Sequence, residues 1–443
     1  MTNVSPRDAG GCLALACLLA AFAANATLPI QQWQTASGAR VLFVETHDLP
    51  MLDLAVDFPA GSGRDAAGKS GLASLTLGLM RSGAAALDEN QISERLASIG
   101  ADLSGRFDMD RAGYGLRTLS SARERDEALR LFAAVLHTPT FPQQIFEREQ
   151  QRTLAGLREA ETRPEALADR EFRHLLYGTH PYSQRGSGEA ETVARLRRED
   201  LVEFYRMHFT AGDAVVSIIG DLTRSEASAI AEQVTAGLSH RSQPLPALPP
   251  VAQLQTAQIT RISHPATQAH ILIGQPGIKR LDPDYFALFL GNYVLGGGGF
   301  ASRLNDEIRQ KRGYAYSTYS YFNPLALEGP FQIAVQTKKD TTEDALKVAQ
   351  DTLAKFVAEG PTPQELDAAK QNIIGGFPLR IDSNRKILDY LSIIGFYRLP
   401  LTYLDDFPDQ IERVTLEQIK DAWSRRIHPE RMATVVVAGG ESH

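Results

Sequence analysis

The amino-acid sequence repeats its order of elements once, at a spacing of about 215 residues. The repeat is clearest at its two endings, where a helical segment over 201–208 leads into an apolar segment over 214–220, and 416–427 leads into 433–439 in the same way. A chain of 443 residues is also too long for one hydrophobic core of ordinary size. The repeat therefore predicts two homologous α+β domains, each a mostly antiparallel sheet covered by helices.

The hydrophobic pattern predicts comparable elements in the two halves. The segment 52–58 alternates apolar and polar residues, which is typical of a strand with one wet face. Four prolines between 242 and 250 cannot continue a helix or a central strand, so they predict a semi-rigid linker. The predicted domains are 27–240 and 256–443, joined by a linker over 241–255. The predicted strands are 41–45, 52–58, 102–109, 112–118, 214–220, 270–274, 314–322, 329–337 and 433–439, and the predicted helices are 70–81, 90–99, 122–137, 143–161, 201–208, 285–295, 302–310, 342–358, 363–375 and 416–427.

Residues 1–26 have the pattern of a secretory signal peptide. Arg7 precedes an apolar run from Cys12 to Ala24, and small residues follow at the cleavage position after Ala26. The run is shorter than the roughly 20 residues that a membrane anchor needs. We expect a periplasmic or secreted protein, with no membrane anchor after cleavage. Its two cysteines, Cys12 and Cys17, would leave with the signal peptide, which would exclude disulfides and thiol catalysis.

The charge of the chain argues against a nucleic-acid partner. The 46 basic and 53 acidic residues leave a net charge of −7. The sequence has no cluster of Lys and Arg of the kind that neutralises phosphates.

One short segment matches a nucleotide-binding motif. Residues 63–70 read Gly-Arg-Asp-Ala-Ala-Gly-Lys-Ser, which fits G-x-x-x-x-G-K-[ST] between a predicted strand and a predicted helix. In a nucleotide hydrolase Lys69 would bind the phosphates and Ser70 would bind magnesium. A second element of such enzymes is also present, because an apolar strand over 215–221 ends in the carboxylate of Asp221. Such enzymes place the loop after a parallel strand that is buried on both faces. The alternating strand before this loop favours a chance match.

Several segments together resemble the zinc peptidases of the pitrilysin or insulinase family, over nearly the whole predicted mature chain. They are 60–65, Gly68, 71–73, 79–80, Thr179-His180-Pro181-Tyr182, 204–209, 296–299 and 309–316. Active members carry H-x-x-E-H on the helix that here begins near Gly71. Two histidines four residues apart bind zinc from one helical face, and the glutamate acts as general base.

This chain lacks those ligands. It has Ser74 and Gly78 at the two histidine positions and Leu77 at the position of the base. The resemblance places a third ligand, a glutamate, at Ala155 or Gly156, and that position is vacant too. The resemblance therefore implies no metal in this chain and no activity of the chain alone. Other acidic and histidine residues lack a convincing third ligand, and we interpret them as structural: Glu171, His174, His180, His264 and His270.

The resemblance also implies a role for Arg309 and Tyr316. They match an arginine and a tyrosine seven residues apart, which in the family lie across from zinc and hydrogen-bond the peptide near its scissile carbonyl. Arg309 would close a helix, Gly313 would allow a left-handed turn, and Tyr316 would open a strand. A surface arginine and a packed tyrosine are the plainer alternative.

A run of glycines precedes this pair and has two open interpretations. Gly296, Gly297, Gly298 and Gly299 could form a substrate-contacting or gating loop, because glycines let a backbone approach closely. They could equally form a turn between two helices.

These observations support a non-catalytic, substrate-binding subunit of a heterodimeric zinc metallopeptidase that hydrolyses short or unfolded peptides. The chain would wall half of a clam-like chamber, bind a homologous zinc-bearing subunit and supply Arg309 and Tyr316 to the zinc site of that partner. Two alternatives stay open. One is a solitary peptide-binding or scaffold protein, and the other is independent zinc hydrolysis through unrecognised ligands.

Overall fold

The computed structural model describes residues 29–240 and 244–439. The predicted signal peptide, residues 241–243 of the predicted linker and residues 440–443 lie outside the described residues. The first half contains strands β1 Gln31–Gln34, β2 Arg40–Glu45, β3 Met51–Phe58, β4 Gly83–Ala84, β5 Leu87–Asp88, β6 Asp102–Phe107, β7 Ala112–Leu119 and β8 Val215–Gly220, and helices α1 Leu72–Met80, α2 Glu89–Ser98, α3 Ala122–His137, α4 Gln143–Ala160, α5 Pro164–Tyr177, α6 Ala190–Arg195, α7 Arg198–His208 and α8 Arg224–Thr235.

The second half follows the same plan with fewer strands. It contains β9 Gln258–Ser263, β10 Gln268–Pro276, β11 Ala315–Phe322, β12 Pro330–Lys338 and β13 Ala433–Ala438, and helices α9 Tyr285–Asn292, α10 Thr342–Glu359, α11 Pro363–Gly375, α12 Asn384–Tyr397, α13 Tyr403–Arg413 and α14 Leu416–Arg426. Two π-helical turns, Tyr293–Gly297 and Asn305–Gln310, connect α9 to β11.

The two main sheets have the same strand order, which confirms the predicted duplication. The first sheet runs β1-β2-β8-β3-β7-β6, and the second, read from its other edge, runs β9-β13-β10-β12-β11. The five strands of the second sheet correspond in this order to β2-β8-β3-β7-β6, and β1 has no counterpart. The two parallel pairs, β2 with β8 and β9 with β13, occupy equivalent places, and the other main-sheet pairs are antiparallel. Strand β8 begins at Val215 and β13 at Ala433, an offset of 218 residues. The fold is thus α+β, with two homologous domains and sheets rich in antiparallel pairs.

One helix of each domain packs on the sheet of the other domain. Helix α5 of the first half packs on β10 and β13, and helix α12 of the second half packs on β2, β3 and β8. Phe172 of α5 lies in one apolar cluster with Val435, while Leu42 of the first sheet lies in the cluster of the second domain. Gly395 brings α12 so close that a Cβ there would lie 2.6 Å from Leu42 Cδ1. The two cores are therefore completed reciprocally.

A buried polar network fixes α12 on the first sheet. Asp57 of β3 is 1% exposed and accepts hydrogen bonds from Ser392 Oγ of α12 and, at 3.3 Å, from Arg106 Nε. Arg111 Nη1 donates to Ser392 Oγ at 2.9 Å. A buried carboxylate is stabilised only when its oxygens are paired in this way, so the network specifies how α12 docks.

The described part of the linker lies on the protein surface in defined contacts. Arg64 Nη1 donates to the Pro246 carbonyl at 2.6 Å, and His180 Nε2 donates to the Pro249 carbonyl at 2.9 Å. Among the helices of residues 29–240 and 244–439, none is both long and apolar enough to cross a bilayer.

Candidate functional site

Helix α1 lines an open cavity with several of its residues. Ser74 and Gly78 are the two members of α1 that are not buried, and their spacing of four puts them on one helical face. They line a cavity of about 810 Å3 together with residues of the edge strand β6 and of α4. Two of the vacated ligand positions on α1, those of Ser74 and Gly78, therefore face one open cavity.

The side chains at this place do not fit a catalytic zinc ion. Ser74 Oγ donates to the Gly71 carbonyl of its own helix at 3.2 Å, Leu77 is 5% exposed, and Gly78 has no side chain. Catalytic zinc needs three nitrogen, sulfur or carboxylate ligands from the protein. No group of three His, Cys, Asp or Glu residues that could hold a metal occurs within 29–240 or 244–439.

The resemblance names two alternative positions for the third ligand, Ala155 and Gly156, and both lie on α4. The α4 residues that line the cavity are Glu149, Arg152 and Thr153. Ala155 is absent from this lining, because an α-helix turns about 100° per residue and Ala155 lies about 200° around from Thr153. Glu149 pairs with Arg152 at 3.6 Å. Gly156, the other position named for this ligand, lies about 40° around the helix from Arg152 and therefore on its cavity-facing side.

The segment that matches a phosphate loop is filled by its own side chains. Both carboxylate oxygens of Asp65 accept backbone hydrogen bonds at the N-terminus of α1, from Gly71 N at 2.8 Å and from Ala73 N at 2.7 Å. Lys69 Nζ is 2.7 Å from Asp200 Oδ1, and Ser70 Oγ contacts the Arg185 carbonyl. A carboxylate therefore occupies the place at the helix N-terminus where a phosphate would bind.

Arg309 and Tyr316 lie in the second domain, and neither lines the cavity of Ser74 and Gly78. The Arg309 guanidinium stacks over the ring of Phe300, with 5.0 Å between Cζ and the ring centroid. Gly313 N donates to the Arg309 carbonyl at 2.9 Å, and Gly313 has the predicted left-handed conformation, with φ +66°. Tyr316 is 50% exposed in β11.

Two features of this surface bear on its chemistry. Across the described residues, the Arg309 guanidinium makes no hydrogen bond and no ion pair, so its donors are available to a ligand. Phe300, which the sequence analysis missed, is 69% exposed, and its carbonyl accepts a hydrogen bond from Gln310 Nε2 at 2.8 Å. An aromatic residue directly after a glycine run was the available signal.

The glycine run forms a packed turn between two helical segments. A Cβ on Gly296 would lie 2.3 Å from Ser320 Oγ of β11, so only glycine lets the turn approach this strand. Asn292 Nδ2 donates to the Ser320 carbonyl at 3.0 Å. Gly299 has φ +60°, a conformation that favours glycine. Close packing also applies to Gly297 and Gly298, where a Cβ would lie 2.9 Å from Asn292 Nδ2 and 2.8 Å from the Tyr293 carbonyl oxygen.

Three of the residues considered as metal ligands have structural partners. His180 Nδ1 accepts from Tyr182 N at 3.0 Å, and His264 Nε2 donates to the Thr162 carbonyl at 3.0 Å. Glu171 accepts from Thr260 Oγ1 at 3.1 Å. Burial lowers the pKa of His180 and of His270, which favours their neutral forms.

Two family models match the chain. The model described as insulinase, peptidase family M16, matches residues 40–185, and the model described as peptidase M16 inactive domain matches residues 195–373. Among curated proteins, a non-peptidase homolog from Helicobacter pylori is 26% identical over 385 residues, covering 86% of this chain and 87% of that protein. An uncharacterized zinc protease from Bacillus subtilis is 21% identical, covering 92% of this chain and 98% of that protein.

Solved structures share the fold. The crystal structure of a peptidase M16 inactive domain from Pseudomonas fluorescens is 40% identical, with a TM-score of 0.89, covering 93% of this chain and 98% of that chain. The periplasmic protease PqqL from Escherichia coli is 16% identical, with a TM-score of 0.78, and this chain covers 45% of its length.

Proposed function

The chain belongs to peptidase family M16, the insulinase family, and from this premise we propose that it is the non-catalytic, substrate-binding subunit of a two-chain zinc peptidase. The absence of ligand side chains at Ser74, Leu77 and Gly78 agrees with the pseudoenzyme character that the comparisons support. The finer proposal adds a zinc-bearing homologous partner and a peptide substrate. In this arrangement the chain itself holds no metal.

The proposal rests mainly on the Arg309 guanidinium, which is unpaired among the described residues. A guanidinium with no hydrogen bond or ion pair among the described residues is available to an oxygen acceptor from another molecule. It lies outside the cavity of Ser74 and Gly78 in its own chain. We therefore assign its acceptor to a peptide held at the active site of the partner.

The contribution of this chain is to orient the peptide and to stabilise charge. Zinc held by the partner would supply the Lewis acid and activate water. Arg309 and the Tyr316 hydroxyl would donate to the peptide near its scissile carbonyl, where negative charge develops. Phe300 would hold the guanidinium in place by the stacking contact already present.

The first test is to purify the tagged full-length chain from its native host and identify what co-elutes with it. An equimolar homologue carrying H-x-x-E-H supports the proposal. N-terminal sequencing of the same sample tests the predicted cleavage after Ala26 and the proposed export. A structural neighbour described as a periplasmic protease supports that location.

The second test replaces Arg309 in the purified complex. We expect Arg309→Ala to lower kcat/KM by about 100-fold, while zinc content and assembly stay unchanged. Arg312→Ala is the matched control, because Arg312 is exposed in the same segment but already pairs with Glu307. Equal turnover of the two variants would show that Arg309 does not contact the substrate.

A solitary peptide-binding protein is the second candidate. The open cavity of about 810 Å3 beside Ser74 and Gly78 favours it, because a cleft of this size can hold a peptide segment. Recovery of the chain alone at normal abundance supports this candidate. Zinc found in stoichiometric amount in the isolated chain would instead favour independent hydrolysis.

A further inference from the structure

The second domain contains a separate small cavity of about 280 Å3. It lies between the loop that follows β10 and the connection from α12 to α13. Its walls include the rings of Tyr285, Phe286 and Tyr403 and the side chain of Leu399. One cation, Arg280, is also part of the lining, whereas Arg309, Tyr316, Ser74 and Gly78 are not.

Among residues 29–240 and 244–439, no group accepts a hydrogen bond from the Arg280 side chain. Its Nε atom is shielded from solvent and has no hydrogen-bond partner. In the part of the chain that the structure describes, its guanidinium makes no hydrogen bond or ion pair, and it lies over the ring of Tyr397, with 5.1 Å between Cζ and the ring centroid. Leaving such a donor buried and unpaired costs free energy, so the arrangement favours an acceptor from outside.

The acidic groups of the cavity are engaged elsewhere. Asp282 Oδ1 accepts from Arg426 Nη2 at 3.0 Å and from Asp284 N at 2.9 Å. Asp406 Oδ2 accepts from Thr402 Oγ1 at 2.6 Å. Neither carboxylate pairs with Arg280, so the guanidinium keeps its donors free although the lining as a whole contains two acidic residues and one basic residue.

The local backbone is strained beside this arginine. Leu281 has φ +61°, a left-handed conformation that is unfavourable for leucine, and its side chain is 59% exposed. Arg280 N donates to the Leu325 carbonyl at 2.8 Å, which fixes the loop. Strain of this kind persists where the surrounding structure imposes it, often at ligand sites.

The charge of Arg280 also acts on the two tyrosines of the cavity. Burial raises the pKa of Tyr285 and of Tyr403, and the nearby guanidinium counteracts part of that rise. The cation therefore lies close to the aromatic walls. A ligand with a charged end and an apolar body could contact both at once.

We propose that this cavity binds a carboxylate carried on an apolar or aromatic body. Arg280 would take the carboxylate through its free N–H donors, and Tyr285, Phe286, Tyr403 and Leu399 would enclose the apolar part. The volume suits one amino-acid residue, since it lies near the lower end of ligand pockets, about 300 Å3. The carboxylate can belong to the C-terminal residue of a peptide or to a free small acid. The inference does not depend on the proposed peptidase complex.

The test is calorimetric titration of the full chain with three probes. The probes are N-acetyl-phenylalanine, the tetrapeptide triglycyl-phenylalanine as the free acid, and the same tetrapeptide as its C-terminal amide. We expect both acids to bind and the amide to bind at least about tenfold more weakly, because the charge-assisted bond is lost. Tighter binding of the tetrapeptide acid indicates a peptide terminus, and equal or tighter binding of N-acetyl-phenylalanine indicates a free acid.

Variants identify the residue responsible. Arg280→Gln should weaken binding of the acids by at least about tenfold, while Lys279→Gln, at an exposed cation outside the cavity lining, should leave it unchanged. Equal binding of acid and amide, no binding of either acid, or binding that Arg280→Gln leaves intact would overturn the proposal. If Arg280→Gln does not fold, the comparison of acid with amide on the natural chain tests whether the cavity binds a carboxylate.

Discussion

Asp65 shows at the residue scale why a motif match is not a site. The segment 63–70 meets every position of the phosphate-loop pattern, yet the third residue of the segment is an aspartate whose carboxylate binds Gly71 N and Ala73 N. A phosphate would need those same donors. The pattern leaves that position open to any residue, so it could not exclude an internal anion.

The titration of Asp65 provides a test of this arrangement. Burial raises the pKa of Asp65 from 3.8 to about 7, against the two backbone hydrogen bonds that lower it. A carboxyl with a higher pKa in the folded state stabilises that state at low pH, and this contribution is lost as the pH rises from about 4 to about 7.

We predict that Asp65→Asn, which is neutral at every pH, removes this contribution. The free energy of unfolding of the natural chain, relative to that of the variant, should fall by up to about 4 kcal/mol between about pH 4 and about pH 8. Urea denaturation of both proteins at the two pH values measures it. A difference that does not vary with pH would contradict the raised pKa.

The surroundings of Arg309 were predicted from the sequence only in part. The spacing of Arg309, Gly313 and Tyr316 predicted the left-handed turn and the strand that follow, and the structure has both. It did not predict the stacking on Phe300, because that contact depends on the path of the glycine turn in space. The role of the pair in peptide binding stays a prediction.

At the scale of elements, α1 keeps the geometry of a metal-binding helix without its ligands. Ser74 and Gly78 face the same cavity, and a Cβ built on Gly78 would meet no atom within 4 Å. Histidines four residues apart on a helix can bind one metal ion.

We therefore predict that the double variant Ser74→His with Gly78→His binds Zn2+ in calorimetric titration, with stability retained because both sites face open space. The single variant Ser74→His is the control and should bind much more weakly, since it offers one ligand. Equal affinity of the two proteins would mean that the residues do not share an accessible face.

The elements also show what the hydrophobic pattern can and cannot predict. Helix α3 was predicted with the bounds it has, because its apolar residues recur on one face over sixteen residues. Helices α5, α6, α8, α12 and α13 were missed. Of these, α5 and α12 pack against the sheet of the other domain, so the residues that cover their apolar faces are distant in the sequence.

At the scale of the whole molecule, the exchanged helices make each domain incomplete alone. Leu42, Val44 and Ala55 of the first sheet are almost fully buried in the cluster of the second domain. Without α12 these side chains would face water, at a cost of about 1.5–3 kcal/mol for each large one.

We predict that residues 29–240 expressed alone aggregate or fail to fold, and that co-expression with residues 244–443 restores a soluble complex. Gel filtration and circular dichroism measure both outcomes. Fusing the α12 segment to residues 29–240 through a flexible linker is the control, and it should recover part of the folded material. A monomeric, cooperatively folded 29–240 fragment would show that α12 is dispensable.

The exchanged helices also have a consequence during synthesis, because α12 is made long after the sheet that it covers. Strand β8 completes the first sheet at Gly220, but α12 begins only at Asn384 and ends at Tyr397. A ribosome adding about 5–20 residues per second needs roughly 10–35 s for the intervening stretch of about 180 residues. During that interval the nascent chain displays a finished sheet with one uncovered apolar face. A chaperone that recognises such a face can bind during this interval, until α12 packs on the sheet and covers the face.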